Sequence, residues 1–398
     1  MKALISNKKL TLILALIYFT SYVTRLNLTA VVAEVISSTG YSKSSFSIVL
    51  VFLSITYGVG QIVNGIIGDK IKPQLIILCG LITTTIVNFV FPFSTTILFM
   101  TILWAINGFA QAMMWPPMVR IMVNTLDEET YNKTVIGVIN GGHIGTLFIY
   151  IFSPIIILLS SWKFVFITSS IIGVGAIILW LLTYNKIIVD DIQTKESKSF
   201  VFPSTALFPV IFIFLTVILQ GMLRDGITTW MPSYLIEVFD FSEEISIFFT
   251  VSLAIISILS TVVFGYIYRK FIKNEILLAF IIFLVALLLN IVFYFTYNFN
   301  IVFSIIMITL IVGCIHGVNL CLISFVPKRF KKYGNISTIS GITNSFTYVG
   351  AAISTYGVAN LVENNGWSFT IGIWALIALI GVVSIFISYK PWKDFIKK

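Results

Sequence analysis

The sequence has 398 residues, of which 58% are hydrophobic, 15% aromatic and 10% charged. Because about a quarter of the residues in a soluble domain are charged, this composition excludes an ordinary soluble protein and indicates a membrane protein. The formal net charge is +9, but the sequence contains no nucleic-acid-binding motif. It also contains no metal-ligand cluster, nucleophile–base set or nucleotide-binding loop, so we expect neither an enzyme nor a bound metal or cofactor.

Apolar segments of about 20 residues recur along the whole chain, and each is long enough to cross roughly 30 Å of hydrocarbon as a helix. The predicted transmembrane segments lie at 10–32, 45–68, 74–93, 96–121, 133–156, 163–185, 206–238, 244–267, 275–296, 299–325, 334–358 and 366–389. The first run is too long for a secretory signal and lacks a cleavage site, so we expect it to be retained. The sequence therefore predicts an all-α membrane protein with twelve transmembrane helices.

The basic residues are distributed unequally between the two sides of the predicted membrane. All 25 Lys and Arg residues fall in segments on one side, except Lys43 and Lys163 on the other side and Arg25 and Arg224 inside apolar segments. Because cytoplasmic loops carry the excess of Lys and Arg, both termini are predicted to be cytoplasmic, in a plasma-membrane protein. The basic side also suits contact with anionic lipid headgroups.

The chain divides into two halves at its longest internal polar stretch. We predict an N-terminal six-helix bundle at 1–185, a cytoplasmic linker at 186–205 and a C-terminal six-helix bundle at 206–398. Both bundles would then begin on the cytoplasmic side, which is typical of a parallel repeat. We expect a two-fold axis along the membrane normal to relate them.

Arg25 and Arg224 each lie about fifteen residues into the first helix of their half, or roughly 22 Å along its axis. A charged residue at the centre of a membrane helix costs about 2.5–3.5 kcal/mol on insertion scales, and the planar fork of Arg suits a carboxylate or phosphate. We interpret both as anion-binding residues that face each other. The alternative is a structural ion pair, but the neighbouring Asp225 should not face Arg224 on a helix. Asp225 would instead neutralise either arginine when no anion is bound.

Other polar and aromatic residues of the apolar segments are candidates for substrate contact. His143 lies in NGGHIG, where glycines allow close helix approach, and a histidine beside a phosphate would gain a proton; the alternative is ordinary packing. Further candidates for substrate binding are Tyr57, Gln61, Trp115, Asn344 and Tyr348. Amides and hydroxyls also join helices, so this set contains residues with either role. The WPP sequence at 115–117 and WMP at 230–232 predict a helix break and a kink.

The loop GDKIKPQ at 68–74 resembles the G-D-R/K-x-G-R/K motif of the major facilitator superfamily. In that motif Asp69 would pair with neighbouring basic groups and, with Lys70, close a cytoplasmic gate. The alternative is an ordinary polar turn.

Several longer motifs resemble those of the organophosphate:phosphate antiporter family within that superfamily. The matching stretches are YVTRLN, NGFAQAMMWPPMVRIMV, NGGHIG, LRDGITTWMPSYL and ISGITNSFTYVGAAIS. The resemblance implies the major facilitator fold, with Arg25 and Arg224 clamping a phosphoryl group and His143 supporting them. It also implies exchange of an organophosphate for inorganic phosphate by rocker-switch movement of the two halves. We expect the protein to be a monomer.

One departure from the family bears on the substrate. Glycerol-3-phosphate antiporters have a lysine where YGVGQ places Gln61, and the acidic Asp225 follows Arg224. Both changes make the predicted site less cationic, which favours a monoanion, a phosphodiester or a carboxylated sugar over a dianionic sugar phosphate. The alternatives are a proton- or sodium-coupled symporter of organic carboxylates, in which Asp225 carries the proton, and a membrane sensor of sugar phosphate.

Overall fold

The structure is a computed structural model that describes residues 5–41, 43–187, 203–240, 243–333 and 335–397. Within these ranges the secondary structure is helical. The α-helices are α1 Asn7–Thr39, α2 Lys43–Lys70, α3 Pro73–Val90, α4 Ile97–Gln111, α5 Trp115–Thr125, α6 Glu128–Leu159, α7 Trp162–Thr183, α8 Ser204–Phe239, α9 Glu243–Lys270, α10 Glu275–Thr296, α11 Ile301–Asn319 and α12 Ile336–Lys397. A π-helical turn, Leu320–Phe325, and a 3₁₀ segment, Pro327–Tyr333, connect α11 to α12.

Eleven helical segments of the described residues are long and apolar enough to cross a membrane. Large apolar side chains lie on their outer surfaces, and Leu158 at the end of α6 is 86% exposed. Monomeric soluble proteins rarely expose large contiguous apolar surfaces. The outer surface therefore matches the membrane environment that the composition predicts.

The predicted fourth span, 96–121, consists of two helices. α4 ends at Gln111 and α5 begins at Trp115, with Pro116 and Pro117 in its first turn. Proline lacks an amide N–H and is best tolerated in the first turn of a helix, so the predicted break at WPP is confirmed. α8 continues as one helix through Pro232 to Phe239, and the predicted kink at WMP stays a prediction.

The predicted spans 334–358 and 366–389 belong to one long helical element, α12. Its 62 residues would extend about 93 Å at 1.5 Å per residue, which is far more than one membrane crossing requires. Gly366, with φ 77° and ψ 177°, interrupts the helical conformation, and residues with a side chain rarely adopt such a positive φ. The break divides α12 into two crossings, and the segment 359–365, which lies between the two predicted spans, is helical.

The described residues form two compact units. The first lies within Met1–Ser197 and Phe330–Ser345, and the second lies within Lys198–Arg329 and Phe346–Lys398. The sequence division at 185 did not predict that 330–345 packs with the first unit. Most of the predicted linker 186–205 lies outside the described residues, so its role stays a prediction.

Aromatic side chains fill the interior of each unit. In the first unit, the ring of Phe91 stacks on Phe166 with centroids 4.7 Å apart and contacts Trp104 at 4.9 Å. In the second unit, the Tyr234 ring lies 5.7 Å from Phe293. These clusters pack the helices of each unit against one another.

Candidate functional site

Arg25 lies on α1 in the first unit and is 8% exposed. Its guanidinium carbon lies 4.3 Å from the ring centroid of Tyr22 and 5.0 Å from that of Tyr57 on α2. Cations are attracted to the faces of aromatic rings at such distances. The structure thus brings together the predicted site residues Arg25 and Tyr57. It adds Tyr22, a polar residue of the same apolar segment that we did not include among the predicted site residues.

The backbone beside Arg25 is held by side-chain amides from two other helices. The carbonyl oxygen of Thr24 accepts hydrogen bonds from Nδ2 of Asn88 at 2.9 Å and from Nδ2 of Asn107 at 3.1 Å. The Thr24 hydroxyl accepts a further bond from Nε2 of Gln111 at 2.9 Å. α1 is therefore attached to α3 and α4 at the residue that precedes the arginine.

These bonds belong to a larger set of buried polar side chains, here called the polar network. Its members, each at most 1% exposed, are Ser21, Thr24, Asn27, Thr84, Asn88, Asn107 and Gln111. Gln111 accepts from the Ser21 hydroxyl at 2.5 Å and donates to the Thr84 hydroxyl at 2.9 Å, and Asn27 donates to Asn88 at 2.5 Å. Buried polar groups that are fully satisfied specify one arrangement of the surrounding helices. The polar network therefore fixes the depth and rotation of α1 at Arg25.

Gln61 on α2 has a different environment from the satisfied amides of the polar network. Its side chain is fully buried, and among the described residues neither Oε1 nor Nε2 has a hydrogen-bond partner. A buried polar group without a partner costs about 1–3 kcal/mol. Tyr57, which contacts Arg25, lies one turn earlier on the same helix. Gln61 thus offers one hydrogen-bond donor group and one acceptor beside Tyr57, the ring that contacts Arg25.

Trp115 and His143 lie near the aromatic partner of Arg25. The Trp115 ring is 5.2 Å from Tyr18, whose ring is 5.0 Å from Tyr22. On α6, Gly142 faces the rings of Tyr18 and Tyr22 so closely that a Cβ there would lie 2.8–3.0 Å from them. His143 follows directly in sequence and is buried. α6 therefore brings His143 to the helix crossing that holds the ring partner of Arg25.

Arg224 on α8 in the second unit forms an ion pair with its neighbour. Its Nε donates to Oδ1 of Asp225 at 2.7 Å and its NH2 to Oδ2 at 2.8 Å. Our expectation that adjacent residues would not meet on a helix was wrong. The Cβ atoms of neighbouring helical residues point in different directions, but the Arg224 side chain is long enough to reach the Asp225 carboxylate along the helix surface. The guanidinium carbon also lies 6.0 Å from the ring of Tyr348 on α12.

A buried amide accompanies Arg224 one turn earlier on α8. Gln220 accepts a hydrogen bond from Nδ2 of Asn319 at 3.4 Å, while its own Nε2 has no partner in the described part of the chain. We did not include Gln220 among the predicted site residues, although its position four residues before Arg224 places both on one helix face. Asn344, which we did include, is buried in the part of α12 that packs with the first unit.

Asp69 binds the N-terminus of a helix. Its Oδ1 accepts from the backbone N–H of Ser337 at 2.9 Å and its Oδ2 from that of Thr338 at 2.8 Å. A carboxylate is stabilised at a helix N-terminus, where amides lack helical partners. These backbone groups bind its carboxylate, and the positive charge of Arg120 also acts on it. Arg120 in addition donates to the backbone carbonyls of Gly68 and Ile71 on either side of Asp69–Lys70, and Lys70 is exposed.

The described residues contain no group of three or more His, Cys, Asp or Glu side chains that could hold a metal ion. Their cysteines, Cys79, Cys314 and Cys321, are free thiols. In each unit, the arginine is accompanied by phenol rings and an amide, and Arg224 also by the Asp225 carboxylate. Each arginine can bind an anion through charge-assisted hydrogen bonds.

A family model described as Major Facilitator Superfamily matches residues 14–355. The chain is 35% identical over 107 residues to a probable hexose phosphate transport protein of Chlamydia trachomatis, a match that covers 27% of this chain and 24% of that protein. It is 26% identical over 364 residues to the glycerol-3-phosphate transporter of Bacillus subtilis, covering 83% and 80%. It is 29% identical over 172 residues to the membrane sensor protein UhpC of Salmonella typhimurium, covering 42% and 38%.

Two solved structures show the same fold. The structure matches the Major Facilitator Superfamily transporter FucP with a TM-score of 0.78 and 12% identity, covering 95% of this chain and 98% of that one. It matches the human organic anion transporter MFSD10 with a TM-score of 0.78 and 10% identity, covering 96% and 100%. Such low identity supports the fold alone. Together with the relatives above, these matches confirm the predicted fold class and the predicted resemblance to the organophosphate:phosphate antiporters.

Proposed function

Because the chain belongs to the Major Facilitator Superfamily and is a multi-pass membrane transporter, we propose that it exchanges a small organophosphate for inorganic phosphate. The observation that carries this proposal is the placement of one arginine among aromatic residues in each unit. Arg25 lies against Tyr22 and Tyr57, and Arg224 lies near Tyr348. Relatives named as transporters of hexose phosphate and of glycerol-3-phosphate support the same class of substrate.

The aromatic contacts suit the binding of a phosphoryl group. A guanidinium that packs against the face of a ring directs its N–H donors outward in its own plane, the geometry in which they match phosphate oxygens in pairs. The permanent charge of arginine also cannot be lost by deprotonation when the site is empty. We infer that Arg25 and Arg224 both bind the phosphoryl group, with Tyr57, Tyr348 and His143 beside them.

The remaining substrate contacts follow from the amides. Gln61 has an unused donor and acceptor next to Tyr57, and it supplies no positive charge where the glycerol-3-phosphate antiporters have lysine. We propose that it binds a hydroxyl or ester oxygen of the substrate, with Trp115 and Asn344 completing the site. This charge balance favours a phosphodiester or another singly charged anion.

Asp69 supports a proposal for the gate. We infer that the hydrogen bonds between the Asp69 carboxylate and the N-terminal amides of α12 close the cytoplasmic gate. These hydrogen bonds would break during alternating access. Lys70 lies beside this contact and keeps the loop in the aqueous phase. The protein would act as a monomer in the plasma membrane, in contact with lipid and with both termini in the cytoplasm.

Asp225 supports one alternative function. A carboxylate inside a membrane helix is a candidate proton carrier, so the protein could instead be a proton- or sodium-coupled symporter of organic carboxylates. In that case an imposed proton or sodium gradient would drive uptake without internal phosphate, and Asp225→Asn would abolish this dependence.

Reconstituted transport tests the proposed function. Purified protein in phosphate-loaded liposomes should take up labelled phosphate, and one member of a panel containing glycerol-3-phosphate, a hexose phosphate, a phosphodiester and a hexuronate should compete. Arg25→Lys and Arg224→Lys should each weaken binding about ten- to a hundredfold, because a hydrogen bond to a charged group contributes about 1.5–3 kcal/mol and 1.4 kcal/mol is tenfold. Lys163→Gln removes a charge from an exposed position and should transport normally. Normal transport by both arginine variants would contradict the proposal.

A further inference from the structure

The anion-binding atoms of Arg224 already have an anionic partner. Its Nε and NH2 donate to the two oxygens of Asp225 at 2.7 and 2.8 Å. This is the paired geometry in which arginine binds the carboxylate or phosphate of a ligand. The side chains are 18% and 27% exposed, so the ion pair is only partly screened by solvent.

α8 packs closely against α12 beside this ion pair. The Thr228 hydroxyl donates to the carbonyl oxygen of Arg224 at 2.6 Å. Gly226 packs against Ser354 of α12, where a Cβ on the glycine would lie 3.1 Å from the serine hydroxyl. The ion pair can therefore open by rotation of the two side chains without movement of α8.

We propose that Asp225 is a tethered competitor for the substrate anion at Arg224. This inference rests on the proposed function, because it assigns the order of events at the same arginine. The carboxylate is attached to the chain beside the guanidinium, so its effective concentration there is high and independent of substrate. An anion that binds through Nε and NH2 must displace it.

The competition determines which anions bind well. Once displaced, the Asp225 carboxylate stays on the residue next to Arg224 and repels the bound anion. The repulsion grows with the charge of that anion, so Asp225 disfavours a doubly charged phosphomonoester more than a singly charged phosphodiester. Asp225 is thus a specificity-determining residue that favours singly charged phosphate esters.

The test measures binding of inorganic phosphate, glycerol-3-phosphate and a glycerophosphodiester to the purified full-length protein by titration calorimetry at one fixed pH. Asp225→Asn keeps the size of the side chain and removes its charge. It should bind phosphate roughly tenfold more tightly than the unmodified protein, because one charge-assisted contact no longer competes. The gain should be larger for the phosphomonoester than for the phosphodiester. Asp225→Ser should reproduce the gain, whereas Asp225→Glu, which retains the charge, should not.

The outcomes separate this inference from the proposed function. If the unmodified protein binds phosphate and neither Asp225→Asn nor Asp225→Ser binds it more tightly, the tethered competitor is wrong and the anion site stands. If no form binds any of the three phosphates, the proposed function fails and the inference with it. The double variant Arg224→Ala/Asp225→Asn should lose the gain, and a gain that persists without Arg224 would also overturn the inference.

Discussion

Replacing Glu275 by alanine should destabilise the second unit strongly. The Glu275 side chain at the start of α10 is completely buried, and it pairs with Arg329 through Nε–Oε1 and NH2–Oε2 distances of 2.9 and 3.0 Å. Oε1 also accepts from the indole N–H of Trp392 at 3.1 Å, and Oε2 from the Tyr268 hydroxyl at 3.3 Å. One carboxylate thus joins the end of α9, the start of α10, the 3₁₀ segment and the end of α12.

The expected loss of stability in Glu275→Ala follows from the burial of this ion pair. Removing one partner of a buried ion pair leaves an uncompensated charge and costs about 3–5 kcal/mol. The Arg329 side chain is 20% exposed, so water stabilises the remaining charge in part, and we expect the lower end of that range. Replacing both partners with apolar residues of similar volume, as in Glu275→Leu/Arg329→Met, removes both charges and should cost less than Glu275→Ala alone.

The assay is unfolding of the purified variants in mixed detergent micelles, followed by tryptophan fluorescence. Lys133→Gln removes the exposed Lys133–Glu129 pair and serves as the control, because exposed pairs contribute about 0–1 kcal/mol. If Glu275→Ala lowers the free energy of unfolding no more than this control does, the conclusion that the buried Glu275 carboxylate stabilises the second unit is refuted. The conclusion is also refuted if the apolar double variant is less stable than Glu275→Ala.

Three further predictions concern other parts of the chain. Gln111→Leu leaves several partners in the polar network without a hydrogen bond and should lower stability by about 1–3 kcal/mol, together with substrate affinity, as unfolding and transport assays would show. Gly341→Ala places a Cβ against an α2 carbonyl, whereas Gly357 has nothing within 4 Å; Gly341→Ala should lower the yield of folded protein, and Gly357→Ala should not. Hydrogen bonds from the backbone N–H and hydroxyl of Thr130 hold the pKa of the Asp127 carboxyl below its usual range. The stabilising effect of this depressed pKa is complete above the ordinary aspartate pKa and disappears as pH falls through the lowered value, so Asp127→Ala should melt earlier at pH 7 and match the unmodified protein in acid.

The sequence predicted those features of the fold that depend on local composition. Runs of apolar residues locate the spans, and the prolines of WPP force the break between α4 and α5. Arg25 and Tyr57 were predicted to share a site because both are polar or aromatic residues in otherwise apolar segments. The continuous course of α12 before Gly366 was missed, because the polar residues between its two apolar runs are compatible with either a loop or a helix.

The contacts that were missed depend on tertiary packing. Asp69 binds the backbone of Ser337 and Thr338, which lie more than 260 residues later in the sequence. No local sequence pattern predicts which helix N-terminus a carboxylate will bind. The ion pair of Arg224 with Asp225 depends on side-chain rotation, which helical periodicity does not determine. Gln61 is the same residue type as Gln111 of the polar network, but its side-chain amide has no hydrogen-bond partner among the described residues. Only tertiary packing distinguishes the two.

Obligatory exchange is the central claim, and efflux from reconstituted liposomes tests it most directly. Liposomes loaded with labelled phosphate are diluted into buffer with or without an external organophosphate, in the presence of a protonophore and without sodium. We predict that the label leaves only when the organophosphate is present, and that Arg25→Lys and Arg224→Lys suppress this efflux. Label that is retained under all conditions, with uptake of an organic anion once a proton or sodium gradient is imposed, would contradict the exchange mechanism and indicate a symporter.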